Sequence, residues 1–146
     1  MKNEFKILAV NISEKKGIQK KPLATAMLIA DYGIKGDAHA GKWHRQVSLL
    51  ADEDIQTMRG KGMELDFGDF AENITTGGID LSSLPLGTRL FLGEAELEVS
   101  QIGKECHHHC AIYHKVGDCV MPRKGIFARV LKGGEISSDT RCYYIS

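Results

Sequence analysis

The sequence predicts one mainly β domain with a few short helices, and three observations carry that prediction. The chain has 146 residues, the size at which a single core is expected, since one domain takes roughly 100 to 200 residues. Glycine is over-used at 16 residues, about 11% against a usual value near 7%, and frequent glycine turns favour short strands over long helices. Around Gly93-Glu94 the alternating apolar runs RLFL and AELEV flank a two-residue loop. Its glycine-first chemistry suits a type II′ hairpin.

The remaining elements follow in order. FKILAVNI, residues 5 to 12, is apolar and β-branched enough for a partly buried strand, and SEKKGIQKKP after it is a polar loop. LATAMLIAD, residues 23 to 31, is too short and too uniformly apolar for its period to separate strand from buried helix. In YGIKGDAHAGKWHRQ, Gly33, Gly36 and Gly41 interrupt any regular element and leave Asp37, His39, Lys42, His44 and Arg45 on an irregular loop. Polar side chains on a loop held by a rigid frame often carry function. VSLLA, residues 47 to 51, reads as a short buried strand. Asp52 then caps a helix running to about Gly60, with Glu53 and Asp54 near its positive end. IFARVLK and EIS around Gly133-Gly134 suggest a second hairpin, after which SSDTRCYYIS reads as an irregular tail.

Charge and hydropathy exclude several classes of function. Nineteen Lys plus Arg balance nineteen Asp plus Glu, so no global field gathers a polyanion, and no long basic run offers a nucleic-acid or anionic-membrane surface. No apolar stretch approaches the roughly 20 residues of a membrane span. The start, MKNEFKILAVNIS, has Glu4 and a short alternating run in place of a secretory leader. A cytoplasmic location is expected, where free thiols serve as ligands, nucleophiles or buried residues.

Chemistry-bearing residues concentrate in one segment. Cys106, His107, His108, His109, Cys110, His114 and Cys119 place four of the six histidines and three of the four cysteines within fourteen residues. Thiolates and imidazoles suit zinc, copper or molybdenum. The C-x3-C spacing followed by a cysteine nine residues later is not a standard zinc-finger pair, so a zinc-stabilised module is one reading. Solvated histidines beside small buried cysteines are another. Cys106 stands apart because it follows a strand end and neighbours Lys104 and His107, a setting that lowers a thiol pKa, although Glu105 acts against it.

The glycine-rich loop has neither a Walker pattern nor a G-x-G-x-x-G fingerprint. What it offers is exposed backbone N–H groups and the planar fork of Arg45, both suited to a phosphate. Asp37 and His39 suit an orienting or an acid-base pair. Glu72 and Asn73 fit either a buried hydrogen-bonding role or catalysis.

Taken in order, GDAHAG (36 to 41), RQVSLL (45 to 50), FAENI (70 to 74), LPLG (84 to 87) and the Cys106 segment resemble the MOSC domain, the C-terminal domain of molybdenum cofactor sulfurases. The resemblance runs from about Lys6 to Ile136, and the single-domain length matches the stand-alone bacterial type. It implies a MOSC-like β-barrel over residues 1 to 146, binding of molybdenum cofactor (molybdopterin), and a cysteine at the position of Cys106 that carries sulfur or ligates molybdenum. Gly36, Asp37, His39, Arg45, Glu72 and Asn73 are the implied cofactor-binding residues. A cofactor-biosynthesis or acceptor protein is the implied partner. Two functions follow from the resemblance: sulfur carriage for cofactor maturation, and molybdenum-dependent reduction of N-hydroxylated compounds, as in amidoxime-reducing components. The chain departs from the family in having Glu105-Cys106 where Pro-Cys is commoner, and in showing no Gly-Asp turn or closing strand after Ile136.

Overall fold

The computed structural model describes residues 2–15, 20–62, 64–103 and 124–145. In chain order the strands are β1 (Lys2–Ile12), β2 (Lys21–Leu23), β3 (Thr25–Ile29), β4 (Gly33–Ile34), β5 (Val47–Ala51), β6 (Ile74–Gly77), β7 (Arg89–Leu92), β8 (Ala95–Ile102), β9 (Ile126–Lys132), β10 (Gly134–Ser137) and β11 (Cys142–Ile145). A helix, α1 (Asp52–Arg59), follows β5. Among the described residues, seven strands close into a barrel in the order β11-β7-β8-β9-β5-β6-β1, with β1 returning to β11. A ring of seven cannot alternate direction throughout, so at least one contact must be parallel. It falls between β5 and β6, the pair joined through α1, as a parallel pair needs a crossover rather than a hairpin. Strand β2 extends the sheet beside the end of β1, while β10, β3 and β4 form a separate three-stranded sheet.

Binary patterning places the core. Ala95, Leu97 and Val99 of β8 alternate inward with Glu96 and Glu98 facing out, as a two-residue period requires. They join Phe5, Ile7, Val10, Leu49, Ile74, Leu90 and Ala128 inside the barrel. Strand β5 is buried at every position, because α1 covers its outer face. Leu50 and Phe127 pack there with Ile55, Met58, Leu65 and Phe70 in a second cluster.

Several expectations are confirmed. The 89–99 hairpin pairs Leu92 with Ala95, and Gly93 has φ +61 while Glu94 does not enter the positive region, the pattern of a type II′ turn. Within the undecided segment 23–31, Thr25–Ile29 form a strand.

Three expectations are corrected. Asp52 is the first helical residue and Ala51 occupies the cap position without a side-chain bond, because β5 runs directly into the helix. The Asp52 carboxylate instead accepts from Arg59 at 2.8 Å. β9 and β10 do not form a hairpin: β8 and β5 occupy both edges of β9, so β10 pairs with β3. Gly133 permits the crossing, since a Cβ there would stand 2.5 Å from the Leu28 carbonyl. Finally, the tail is a barrel strand. Cys142 pairs with both Phe5 and Leu92, and Tyr143 stacks on Phe91 with centroids 4.8 Å apart.

Candidate functional site

The glycine-rich loop is anchored from beneath by a buried ion pair. Lys20, only 2% exposed, donates from Nζ to Asp37 Oδ1 at 2.7 Å, to Ser13 Oγ at 3.4 Å and to His39 Nδ1 at 3.0 Å. Asp37 Oδ1 also accepts from the Ser13 N–H, and Oδ2 accepts from the His39 N–H. The carboxylate therefore ties β1 to the loop and holds His39 by its backbone. Gly36 supplies the bend ahead of it with φ +87, a conformation favourable only to glycine. Beyond His39, the Trp43 indole N–H donates to the His39 carbonyl at 2.8 Å.

A second buried network joins the parallel strand pair. Ser48 N–H donates to Asn73 Oδ1 at 2.9 Å, Asn73 N–H donates to Ser48 O at 3.0 Å, and Asn73 Nδ2 donates to Asn11 O at 3.1 Å. The Ser48 hydroxyl lies 3.1 Å from the Ala71 carbonyl, which helps hold Ala71 at φ +62, a backbone state that costs a non-glycine residue energy. Glu72 is fully buried. Its Oε1 accepts from Phe70 N–H, and its Oε2 accepts from Gly68 N–H and the Thr75 hydroxyl. Burial raises its pKa against the opposing pull of those donors. The held loop lies against Lys20: a Cβ at Gly68 would collide with the Lys20 carbonyl. The two networks thus share a contact.

Between them lies a recess of about 90 Å³ lined by His39, Trp43, Arg45, Ser48, Ala71, Asn73 and Phe127. The Arg45 guanidinium stands 5.1 Å over the Phe127 ring and donates from Nε to Gln101 Oε1 at 3.0 Å. His44 Nε2 lies 2.9 Å from the same oxygen. Among the described residues, no hydrogen bond engages the two terminal nitrogens of Arg45, whose planar fork suits a phosphate or carboxylate. Gln101 faces both ways, because its Nε2 donates to the Gly103 carbonyl at 2.7 Å. Gly103 in turn bonds Gly125 at 2.6 Å. Gly103, just beyond β8, and Gly125, just before β9, thus lie close to Gln101, the partner of Arg45.

The structure brings His39, Arg45 and Asn73 to one recess. Asp37 and Glu72 lie behind it with their oxygens engaged by protein donors, and Gly36 is a turn residue outside the lining. Cys106, His107, His108, His109, Cys110, His114 and Cys119 lie outside the described residues. Among the described residues, no group of three or more His, Cys, Asp or Glu side chains is placed to hold a metal, and no helix is long and apolar enough to cross a membrane. Sequence reasoning missed Lys20, Ser13, Ser48, Gln101 and Phe127. For Lys20, the signal was its place beside Lys21 in a lysine-rich loop, two residues before Pro22, indistinguishable from solvated charge.

This architecture, a closed seven-stranded barrel with a recess at the parallel seam, is that of a known domain class. The MOSC domain family matches residues 36–143, and the chain belongs to it. MOSC domains are generally associated with binding of molybdenum cofactor. The fold is shared with the YuaD protein from Bacillus subtilis, at a TM-score of 0.79 and 18% identity over 100% of this chain and 99% of that one. It is also shared with YiiM from Geobacillus stearothermophilus, at 0.72 and 21% over 97% and 75%, and with YiiM from Escherichia coli, at 0.66 and 19% over 100% and 70%. No curated protein matches the sequence.

Proposed function

We propose that this protein binds molybdenum cofactor in the recess beneath Arg45 and carries or transfers sulfur for cofactor maturation through Cys106, handing it to a biosynthesis or acceptor protein. The observation that supports this reading is the Arg45 fork: a guanidinium steadied by Phe127 and Gln101 beside the recess, its two terminal nitrogens without a hydrogen bond among the described residues. That donor set fits the phosphate of molybdopterin, which a planar fork grips through two parallel bonds. His39 and Asn73 complete the polar lining. When bound, the cofactor supplies a molybdenum centre with sulfur ligands.

Cys106 supplies the soft donor appropriate to such a centre. It lies three residues beyond Gly103 in the sequence. Ser48 and Asn73 set the recess wall, and the ion pair of Lys20 with Asp37 sets the loop that presents His39.

Acid oxidation of purified protein followed by pterin fluorescence, with metal analysis of the same sample, tests the reading. Pterin with molybdenum is expected; zinc without pterin overturns it. Cys106→Ser replaces a soft thiolate with a hard, poorly ionised hydroxyl. It should leave the protein folded with part of its pterin affinity, and abolish persulfide formation and protein sulfur coordination at the molybdenum edge. If Cys106→Ser retains both signals and Cys110→Ser loses them, the sulfur site belongs to Cys110.

A further inference from the structure

We propose that Gln101 is the positioning residue for Arg45: a β-bulge turns it onto the outer face of the barrel, where its neutral amide oxygen fixes the guanidinium plane without neutralising the charge. The register of β8 against β9 shifts between Val99, which pairs with Ala128, and Gln101, which pairs with Phe127. Ser100 is the extra residue, and a bulge of this kind re-aims the side chain that follows it. Unbroken alternation from Leu97 and Val99 would send Gln101 inward. The shift instead makes Gln101 the cross-strand neighbour of Phe127, whose ring packs outside the barrel in the cluster with Ile55 and Met58. Both then meet the same guanidinium: Gln101 Oε1 accepts from Arg45 Nε at 3.0 Å, and the Phe127 ring lies beneath its face at 5.1 Å. The bulge holds the loop as well, because the Ser100 hydroxyl donates to the His44 carbonyl.

The contacts of the amide settle its orientation. Arg45 Nε is always a donor, so the atom facing it is the oxygen. The other end donates to the Gly103 carbonyl at 2.7 Å, as only the NH₂ can. His44 Nε2, at 2.9 Å from the oxygen, is accordingly a donor as well. Because Nε–H lies in the guanidinium plane, holding it fixes that plane about the Cδ–Nε bond. It also spends the side edge of the fork, so a two-point grip on an oxyanion falls to the end edge formed by the two terminal nitrogens. The neutrality of the acceptor matters: a carboxylate in its place would pair with Arg45 and compete with an anionic ligand. That the held fork serves a phosphate rests on the function proposed above; the positioning does not.

Nitrogen-15 NMR of the full chain labelled at arginine, with the Arg45 Nε–H signal identified by its loss in Arg45→Lys, reads the positioning without ligand. The wild type should show that proton protected from exchange with water. Gln101 is only partly buried, so its substitution should leave the barrel folded, which melting curves check. In Gln101→Met, which removes the acceptor, exchange should quicken about tenfold. In Gln101→Glu, which keeps an oxygen facing Nε, protection should persist; being nearly isosteric, this variant keeps the test in hand if Gln101→Met does not fold. An Nε–H that exchanges as slowly in Gln101→Met as in the wild type overturns the inference, as does loss of protection in folded Gln101→Glu. Titration with molybdopterin then separates geometry from charge. Both variants lose the Gly103 bond, so the difference between them reads the added charge. Gln101→Met should lose about fivefold in affinity, the worth of one hydrogen bond, and Gln101→Glu about tenfold further despite its ordered Arg45. Binding by Gln101→Glu as tight as that of Gln101→Met overturns the role of a neutral acceptor. A protected Nε–H in a wild type that binds no molybdopterin supports the positioning and overturns the proposed function instead.

Discussion

Glu72→Gln distinguishes a carboxylate that builds the recess from one that contacts a ligand. Two carboxylate oxygens take three donors: Phe70 N–H at 3.1 Å on one, Gly68 N–H at 3.0 Å and the Thr75 hydroxyl at 2.7 Å on the other. An amide has one oxygen and one NH₂. In its better orientation the oxygen keeps Gly68 and Thr75, and the NH₂ is turned against the Phe70 N–H, leaving a buried donor without an acceptor. One such loss costs about 2 kcal/mol, within the range of roughly 1–3 for a stranded buried group. For a chain of this length that corresponds to a fall in melting temperature of about 6 °C.

The cost of Glu72→Gln carries a pH dependence of known sign. Burial raises the Glu72 pKa above its ordinary value of 4.5, so the folded state binds this proton more tightly than the unfolded state. Stability from this group is greatest below the unfolded value and falls as pH rises toward the folded one. Glutamine lacks that slope, so the gap between the proteins should be widest near pH 4 and narrow as pH increases. Differential scanning calorimetry across pH 4 to 8 measures both quantities. A melting temperature within 1 °C of wild type at every pH across that range, with the same pH slope in the two proteins, would refute the assignment of those three donors to Glu72.

Arg45→Ala should weaken molybdopterin binding about ten- to hundredfold, the span for a lost charged hydrogen bond, and Arg45→Lys should fall between because it keeps charge without the fork; equal affinity for folded samples of all three, measured by titration, removes Arg45 from the site. Gly93→Val forces a β-branched residue to φ +61 and sets a Cβ 3.1 Å from Thr140 Cγ2, so chemical denaturation should show a loss of about 1–3 kcal/mol; an unchanged midpoint contradicts the turn. Chelation, Cys110→Ala and Cys119→Ala should each leave the melting temperature nearly unchanged, and a stoichiometric zinc content that vanishes with these substitutions, accompanied by a sharp fall in stability, would instead make zinc a structural element.

Local pattern alone determined much of the fold. Period-two alternation in 95–99, the continuous apolar run of VSLLA and the Gly93-Glu94 turn are signals confined to a few neighbouring residues, and each appears where its chemistry puts it. Order along the chain also sufficed for the family, since its motifs are short and sequential. Pairing between distant segments was not legible. CYYI is too short to announce a strand, and becomes one because β1 and β7 both present an edge to it. IFARVLK and EIS looked like partners because they adjoin, yet both edges of β9 were already taken by strands remote in sequence.

The same division runs through the recess. Residue type marked His39, Arg45 and Asn73 as candidates, because a fork, an imidazole or an amide on a loop announces its chemistry. What each does was decided by tertiary neighbours: Lys20 reaches Asp37 across 17 positions, Ser48 reaches Asn73 across 25 and Arg45 reaches Gln101 across 56. The sequence by itself determined which elements form and which side chains can carry chemistry. Only the closed barrel decided which of those side chains meet, because burial turns an ordinary lysine into the counter-charge of a buried carboxylate, and strand register, set by the whole ring, aligns residues that no local period relates.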